Sequence, residues 1–305
     1  MRRVGPGVLL SLPVGTHRHG DDPRALVDLS RRAEGAGVDG VVLADHVLLG
    51  KHVDRYPWGR FPFPSDAPWL EPLTVLTAIA VATEHLRLTT GILIVPLRPA
   101  PLLAKTVATL DVLSSGRVEL GVGTGWQAEE LVAQGIDPAR RGQVLTDHMA
   151  ACRALWSNSP ASFHSESVSF EDVWSEPKPV RPGGPPVLFS GTLTKRNLDR
   201  IVTLGDGWIP IMGETLDGIA TGVETLRAAY GTAGRAPDEL RVRAPLPIVR
   251  GDDGAPSVTA TMNGMGALAG VGVTDVYLTY TAFTSDDESS DRFFDELTER
   301  LGGRG

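Results

Sequence analysis

Short apolar runs alternate with amphipathic stretches along the whole chain. The apolar runs have the length of buried strands, and the amphipathic stretches repeat apolar side chains every three to four residues, which is typical of helices. The predicted strands are 7–12, 40–43, 87–95, 117–122, 186–189, 207–209, 242–248 and 273–278. The predicted helices are 23–36, 70–83, 102–113, 140–156, 194–204, 216–230, 258–269 and 287–301. Strand and helix therefore alternate from one end to the other.

Eight strands, each followed by a helix, are the number that closes a (β/α)8 TIM barrel. A chain of 305 residues fits one such barrel with insertions, so the sequence predicts an α/β fold with a single domain over 1–305. The competing fold is an open doubly wound sheet, which usually has fewer units. In a barrel the loops at the carboxyl ends of the strands share one face, where ligand-binding groups are expected.

Two segments are longer than ordinary connections, 47–69 after the second strand and 158–185 after the fourth. The first is rich in proline and aromatic residues, and the second contains a predicted hairpin. Long ordered loops in barrels often form the wall or lid of a pocket. The aromatic side chains of the first segment either line that pocket or pack the loop onto the barrel, and both interpretations stay open; they are Tyr56, Trp58, Phe61 and Phe63.

Composition limits the classes of partner. The net charge is −8 and no run of lysine or arginine occurs, which argues against nucleic acid and membrane surfaces as ligands. Cys152 is the only cysteine, so an internal disulfide is excluded, and its helical pattern predicts an inert core position. The apolar run 8–12 is too short for a signal peptide or a membrane span. We therefore expect a cytoplasmic protein that acts on a small molecule.

Asp45 and His46 end the second strand, where barrel enzymes keep catalytic and binding groups. Histidine can donate a hydrogen bond to a ring or move a proton near neutral pH. The alternative is that Asp45 caps the next turn and His46 bonds to the backbone.

His17 and His19 follow the first strand and resemble the paired metal ligands of barrel hydrolases. Such a site needs further ligands at later strand ends. The other histidines fall in a helix, in the hairpin or before a strand, so the ligand set is incomplete and no metal is predicted.

Two glycine-containing turns are candidates for cofactor contacts. Gly121, Gly123 and Gly125 close the fourth strand, but their spacing is not a dinucleotide fingerprint. The turn 190–192 lies between a strand and a helix, where backbone N–H groups and the helix dipole favour an anion. An ordinary helix cap at Thr192 or Thr194 explains the same turn equally well.

Together these blocks resemble the luciferase-like monooxygenase superfamily, in particular its branch that depends on the deazaflavin coenzyme F420. The resemblance covers about residues 5–215. It rests on ADHV at 44–47, TTGILIVPLR at 89–98, AK at 104–105, ATLDVLSSGRVELGVGTGW at 108–126, RG at 141–142, PKPV at 177–180 and LGDGWIP at 204–210. These blocks occur in order, which is specific for the superfamily and less specific for cofactor and substrate.

The resemblance implies a role for individual positions. His46 matches the residue that contacts the flavin or deazaflavin ring, and it is the implied catalytic residue. A bulge in the third strand, often with a non-prolyl cis peptide, is implied to support one ring face. The implied cofactor-binding positions are Asp45, His46, Thr90, Gly91, Ile92, Gly123, Thr124, Gly125, Ser190, Gly191 and Thr192.

The chain also departs from the family pattern. Ser190 replaces the first glycine of the usual phosphate turn, and Phe189 is bulkier than the common residue. Trp126 stands where the sugar-phosphate dehydrogenases of the superfamily carry a catalytic glutamate, and Gly50 replaces their tryptophan. The resemblance therefore argues against sugar-phosphate dehydrogenase activity.

The resemblance implies an oxidoreductase that transfers a hydride between F420 and a small organic substrate. An FMN-dependent monooxygenase that uses oxygen is the first alternative, and a non-catalytic flavin-binding barrel is the second. Members of the family often dimerise, so a homodimer is a further expectation. No motif in the sequence identifies the substrate.

Overall fold

The computed structural model describes residues 5–14, 22 and 24–303. Its strands are β1 (Gly7–Ser11), β2 (Gly40–Leu43), β3 (Arg87–Thr90), β4 (Leu93–Ile94), β5 (Val118–Gly123), β6 (Ala161–His164), β7 (Ser169–Val173), β8 (Val187–Ser190), β9 (Gly207–Ile209), β10 (Arg241–Pro245) and β11 (Asp275–Thr279). All except β6 and β7 belong to one parallel sheet. It closes because β1 pairs with β11, and β3 pairs with β5. With β4 continuing the third strand, this is the predicted (β/α)8 barrel.

The helices surround the barrel in the predicted places. They are α1 (Ala25–Gly35), α2 (Pro72–Ala82), α3 (Ala100–Leu113), α4 (Ala128–Ala133), α5 (Arg141–Ser157), α6 (Lys195–Leu204), α7 (Leu216–Thr232), α8 (Val258–Asn263), α9 (Met265–Gly270), α10 (Tyr280–Phe283) and α11 (Asp287–Leu301). The single helix predicted over 258–269 is divided at Gly264 into α8 and α9. Helices α4 and α10 were not predicted, because each is too short to show a helical period.

Side chains alternate along each strand between the apolar core outside the barrel and the barrel interior. In β11, Val276 and Leu278 are buried in the main apolar core between sheet and helices. Asp275 and Tyr277 alternate with them and therefore face the interior. Cys152 is fully buried on α5, as predicted, and burial raises the pKa of its thiol to about 12.

A cluster of charged side chains lies inside the barrel at the amino ends of the strands. The Glu119 carboxylate accepts hydrogen bonds from Arg87 at 3.3 Å and Arg243 at 2.7 Å, and it forms an ion pair with Arg241 at 2.7 Å. Asp275 pairs with Arg87 at 2.6 Å and with Arg241 at 3.1 Å. Although burial opposes ionisation, these arginines hold the pKa of both carboxyl groups below their ordinary values.

The two insertions occupy different parts of the molecule. Segment 47–69 follows β2 and lies at the carboxyl ends of the strands. Segment 158–185 follows α5 and not the fourth barrel strand itself, so its chain enters from the opposite end of the barrel. Its hairpin packs along α5, where the Ser167 hydroxyl donates to Asp147 at 2.6 Å and Glu166 pairs with Arg140 at 2.6 Å. The expectation that this segment forms a pocket wall stays a prediction.

No helix among the described residues combines the length and the apolar character that crossing a membrane requires.

Candidate active site

Asp45 lies two residues beyond β2, and both of its carboxylate oxygens accept hydrogen bonds from other residues of the protein. The Arg98 guanidinium donates to them at 2.7 and 3.0 Å, and the Ile94 N–H donates at 2.8 Å. Arg98 also donates to Glu71 at 2.7 Å. Burial raises the pKa of Asp45, although the hydrogen bonds from Arg98 and Ile94 act to lower it. The structure thus places Asp45 as the group that fixes segment 94–98 against β2.

His46 is buried beside Asp45 and is paired with a carboxylate that the sequence did not single out. Its Nδ1 lies 2.9 Å from Glu130 Oε2, and Glu130 is only 1% exposed. The other oxygen of Glu130 accepts from the Val47 N–H at 2.6 Å. Because a carboxylate can only accept, Nδ1 carries the proton and Nε2 is left as the reactive nitrogen. Glu130 was missed because it lies on the short helix α4.

Aromatic rings surround His46 edge-on. Their centroids lie 4.7 Å away for Trp69, 5.9 Å for Phe61 and 6.2 Å for Trp126. Trp126 also contacts Tyr56 at 5.2 Å and Phe61 at 5.3 Å. The aromatic residues of segment 47–69 therefore pack on one another and form a wall beside His46, which confirms the packing interpretation, whereas the lining of a pocket stays a prediction. The indole N–H groups of Trp69 and Trp126 are buried without a hydrogen-bond partner among the described residues.

The third strand is interrupted where the resemblance implied a bulge. The Gly91–Ile92 peptide bond is cis, which confirms the expected non-prolyl cis bond. The Thr90 hydroxyl donates to the Gly121 carbonyl at 2.8 Å. A Cβ on Gly91 would collide with the Val42 side chain, so this position requires glycine.

The glycines of the fourth strand make room for protein side chains. A Cβ on Gly123 would lie 2.9 Å from the Ile92 side chain, and one on Gly125 would lie 2.8 Å from Ile94. Gly125 also has a φ of +72°, and the hydroxyl of Thr124 lies 3.2 Å from its carbonyl oxygen. Ile92 and Ile94 therefore occupy the space beside these glycines that was expected to admit a ligand.

The Asn197 side chain holds the turn that follows β8, and Thr192 in this turn is exposed. The Asn197 amide donates to the carbonyls of Thr192 at 3.2 Å and Ser190 at 3.4 Å, and Gly191 has a φ of +115°. Thr194 caps α6 through the Asn197 N–H, so the cap is not formed by Thr192. The hydroxyls of Ser190 and Thr192 have no hydrogen-bond partner among the residues that the structure describes. They lie before the positive end of α6, which suits a phosphate.

Comparison with known proteins identifies the family. Residues 7–287 match the family model described as luciferase-like monooxygenase. The chain belongs to the luciferase-like monooxygenase family. This assignment confirms the resemblance drawn from the sequence blocks.

Relatives of this luciferase-like protein include users of two cofactors. An uncharacterized protein of Mycobacterium tuberculosis is 36% identical over 193 residues, which is 62% of this chain and 67% of that protein. The FMNH2-dependent dimethylsulfone monooxygenase of Pseudomonas putida is 31% identical over 170 residues, covering 54% and 46%. The F420-dependent glucose-6-phosphate dehydrogenase of Amycolatopsis mediterranei is 28% identical over 199 residues, covering 64% and 55%.

Solved structures agree with the fold of the luciferase-like protein. Monooxygenase RslO1 from Streptomyces bottropensis matches with a TM-score of 0.74 and 17% identity, over 97% of this chain and 98% of that one. An F420-dependent secondary alcohol dehydrogenase matches with a TM-score of 0.67 and 18% identity, over 96% and 91%. At these identities the likeness concerns the barrel alone.

His17 and His19, which resemble paired metal ligands in the sequence, lie outside the described residues. Within the described part of the luciferase-like chain, no group of three or more His, Cys, Asp or Glu side chains is arranged to hold a metal ion.

Proposed function

We propose that this protein is an oxidoreductase that transfers a hydride between coenzyme F420 and a small organic substrate. The observation that carries the proposal is the buried His46–Glu130 pair just beyond the carboxyl end of β2. Interconverting an alcohol and a carbonyl moves a hydride at carbon and a proton at oxygen. His46 Nε2 is a proton-transfer group of the right type, held in place by Glu130.

The residues around the site fit a ring cofactor with a phosphate. The unpartnered indole N–H groups of Trp69 and Trp126 are available to polar atoms near the ring. Ile92 offers an apolar surface for a ring face, and the hydroxyls of Ser190 and Thr192 with the α6 terminus suit the phosphate. When bound, F420 supplies or accepts the hydride at its ring carbon C5.

The protein's own residues move the proton and exclude water. During substrate oxidation, His46 Nε2 accepts the hydroxyl proton while the adjacent C–H bond yields its hydride, and reduction is the reverse. Glu130 keeps the proton on Nδ1 and stabilises the resulting imidazolium by a charge-assisted hydrogen bond. The rings of Phe61, Trp69 and Trp126 shield this step from water.

An FMN-dependent monooxygenase is the second candidate. It is supported by the 31% identity to the FMNH2-dependent enzyme of P. putida. The same aromatic wall suits oxygen chemistry, since reactive oxygen adducts also require exclusion of water.

Parallel titrations with F420 and FMN test the proposal. We expect tighter F420 binding and substrate-dependent change of the deazaflavin absorbance without oxygen consumption. Tighter FMN binding with oxygen-dependent turnover would support the second candidate. Binding of either cofactor without turnover of any substrate tried would support a non-catalytic barrel.

Two histidine variants, one at the site and one away from it, provide a matched comparison. His46→Ala should abolish turnover and weaken cofactor binding. His85→Ala, on a side chain that is 63% exposed before β3, should change neither. Unchanged cofactor binding in His46→Ala would remove His46 from the ring site.

A further inference from the structure

A cavity of about 1020 Å³ opens at the amino ends of the barrel strands, at the other end of the barrel from His46. Three arginines, Arg87, Arg181 and Arg241, belong to its lining, together with His85. The proposed hydride transfer uses none of these side chains. Their charge and their hydrogen-bond donors therefore point to a separate ligand.

The charge cluster inside the barrel has one positive charge in excess. It joins Arg87, Arg241 and Arg243 to only two carboxylates, those of Glu119 and Asp275. Arg243 is 1% exposed, and its Nε and Nη1 have no hydrogen-bond partner among the described residues. Because a buried charge without a counter-charge is costly, an anion bound next to the cluster would stabilise it.

Arg241 brings unused donors of this cluster to the cavity wall. Its Nη2 makes both carboxylate contacts, at 2.7 Å to Glu119 and 3.1 Å to Asp275. Its Nε and Nη1 have no partner within the described part of the chain, and the side chain is 23% exposed. Arg243 lies two residues further along β10 and faces the same barrel interior. Its N–H groups are too deeply buried to contact a ligand in the cavity, but its charge adds to the positive potential there.

Arg181 is a second guanidinium with unused donors at this cavity. It belongs to segment 158–185 and is 58% exposed. Its ion pair with Asp206 is long, at 3.7 Å, and the same carboxylate is already paired with Arg153 at 2.8 Å. Arg181 can therefore bind an anion without leaving a carboxylate unpaired.

The remaining acidic side chain of the lining, Asp39, lies on the other side of the barrel. Asp39 precedes β2, whereas Arg181 precedes β8 and Arg241 begins β10. In the order of the closed sheet β2 stands opposite β9, which lies between β8 and β10. The half of the cavity next to β8, β9 and β10 is therefore its positive half.

We propose that this positive half binds a phosphate-type oxyanion between Arg181 and Arg241. The planar guanidinium group donates two parallel hydrogen bonds that match the spacing of phosphate oxygens. The excess charge of the cluster favours the anion, and the walls of a cavity strengthen that attraction. The ion is either free inorganic phosphate or the phosphate group of a larger metabolite, for which the cavity volume leaves room.

Calorimetric titration with inorganic phosphate at constant ionic strength tests this site. The parent protein should show saturable binding. Arg181→Gln should raise the Kd by about tenfold, because a charged hydrogen-bonding group is removed. Arg31→Gln is the matched control, since its side chain is 56% exposed and does not line the cavity. This control should leave the Kd unchanged.

The turn that follows β8 is the second place where phosphate is expected, and Thr192→Val separates the two. Binding in the cavity should be unaffected by this variant. An affinity that falls in Thr192→Val and not in Arg181→Gln would place the ion at the turn and overturn the cavity site.

Glycerol 3-phosphate distinguishes the two sources of the ion. Tighter binding than inorganic phosphate, lost in Arg181→Gln, supports the site with a metabolite as its ligand, and weaker binding supports it with the free ion. The absence of saturable binding, or equal losses in Arg181→Gln and Arg31→Gln, overturns the proposal. None of these titrations involves F420 or turnover, so their result is independent of the hydride-transfer proposal.

Discussion

Glu130→Gln is the most direct test of the chemistry proposed for His46. The substitution keeps the shape of the side chain and removes its charge. The single oxygen of the new amide must accept the hydrogen bond from the Val47 N–H, which now donates to Glu130 Oε1 at 2.6 Å. The amide NH2 then faces His46 Nδ1 in place of the oxygen now at 2.9 Å. Because an amide nitrogen cannot accept, the imidazole must carry its proton on Nε2, which inverts the tautomer.

The expected loss has two sources. A hydrogen bond to a charged group contributes about 1.5–3 kcal/mol, and the neutral amide forfeits much of it. The inverted tautomer also leaves Nε2 without a lone pair to accept the substrate proton, and a comparable inversion in serine proteases lowers kcat about 10⁴-fold. We expect kcat for alcohol oxidation to fall by about 10²–10⁴-fold. Cofactor affinity should change little, since the aromatic wall and phosphate turn are untouched.

Steady-state oxidation rates and separate cofactor titrations provide the readout. Glu129→Gln is the control, because its neighbouring carboxylate is 35% exposed and lies 3.8 Å from Arg55. This variant should behave like the parent. Near-normal kcat in Glu130→Gln would refute the proposed proton transfer. Parallel losses of folding stability, binding and kcat would instead assign Glu130 to loop structure alone.

The remaining predictions concern buried titratable groups. Asp45→Asn should lower the free energy of unfolding in urea by about 1.5–3 kcal/mol, because one charge-assisted hydrogen bond from Arg98 is lost while Glu71 still accepts from Arg98; an unchanged midpoint would contradict this. Cys152, whose pKa is raised to about 12, should resist iodoacetamide near neutral pH until the protein is unfolded, as followed by mass spectrometry. Burial raises the pKa of Tyr230 and Tyr277 to about 12, against about 10 when unfolded. Their contribution to stability is therefore complete below about pH 10 and is lost towards pH 12, and a phenolate absorbance titration near pH 10 for every tyrosine would disprove it.

The barrel was predictable because its signal is repeated. Eight apolar runs and eight amphipathic stretches each point to the same architecture, so errors at single boundaries do not alter it. The strand predicted over 242–248 ends at Pro245, for example, and the barrel still closes. The family blocks likewise located His46 and the Gly91–Ile92 turn.

The contacts within the site were not predictable, because they join distant residues. Asp45 is bound by Arg98, and His46 by Glu130, across 53 and 84 positions. A pattern of residue types does not show which carboxylate receives which donor. Gly123 illustrates the same limit, since the sequence indicates that a Cβ is absent but not that Ile92 fills the space.

Charge alone would place the active site at the end of the barrel opposite to the one proposed. A cavity of about 1020 Å³ opens at the amino ends of the strands, lined in part by Arg87, Glu119 and Asp275. Both carboxylates there are shared by arginines, so their hydrogen-bonding capacity serves the fold. At the carboxyl ends, the indole N–H groups of Trp69 and Trp126 have no partner within the described structure. Arg243 Nε and Nη1 in the charge cluster are also buried without a partner in the described structure, so unpartnered donors occur at both ends, and the proposed active site rests on the His46–Glu130 pair.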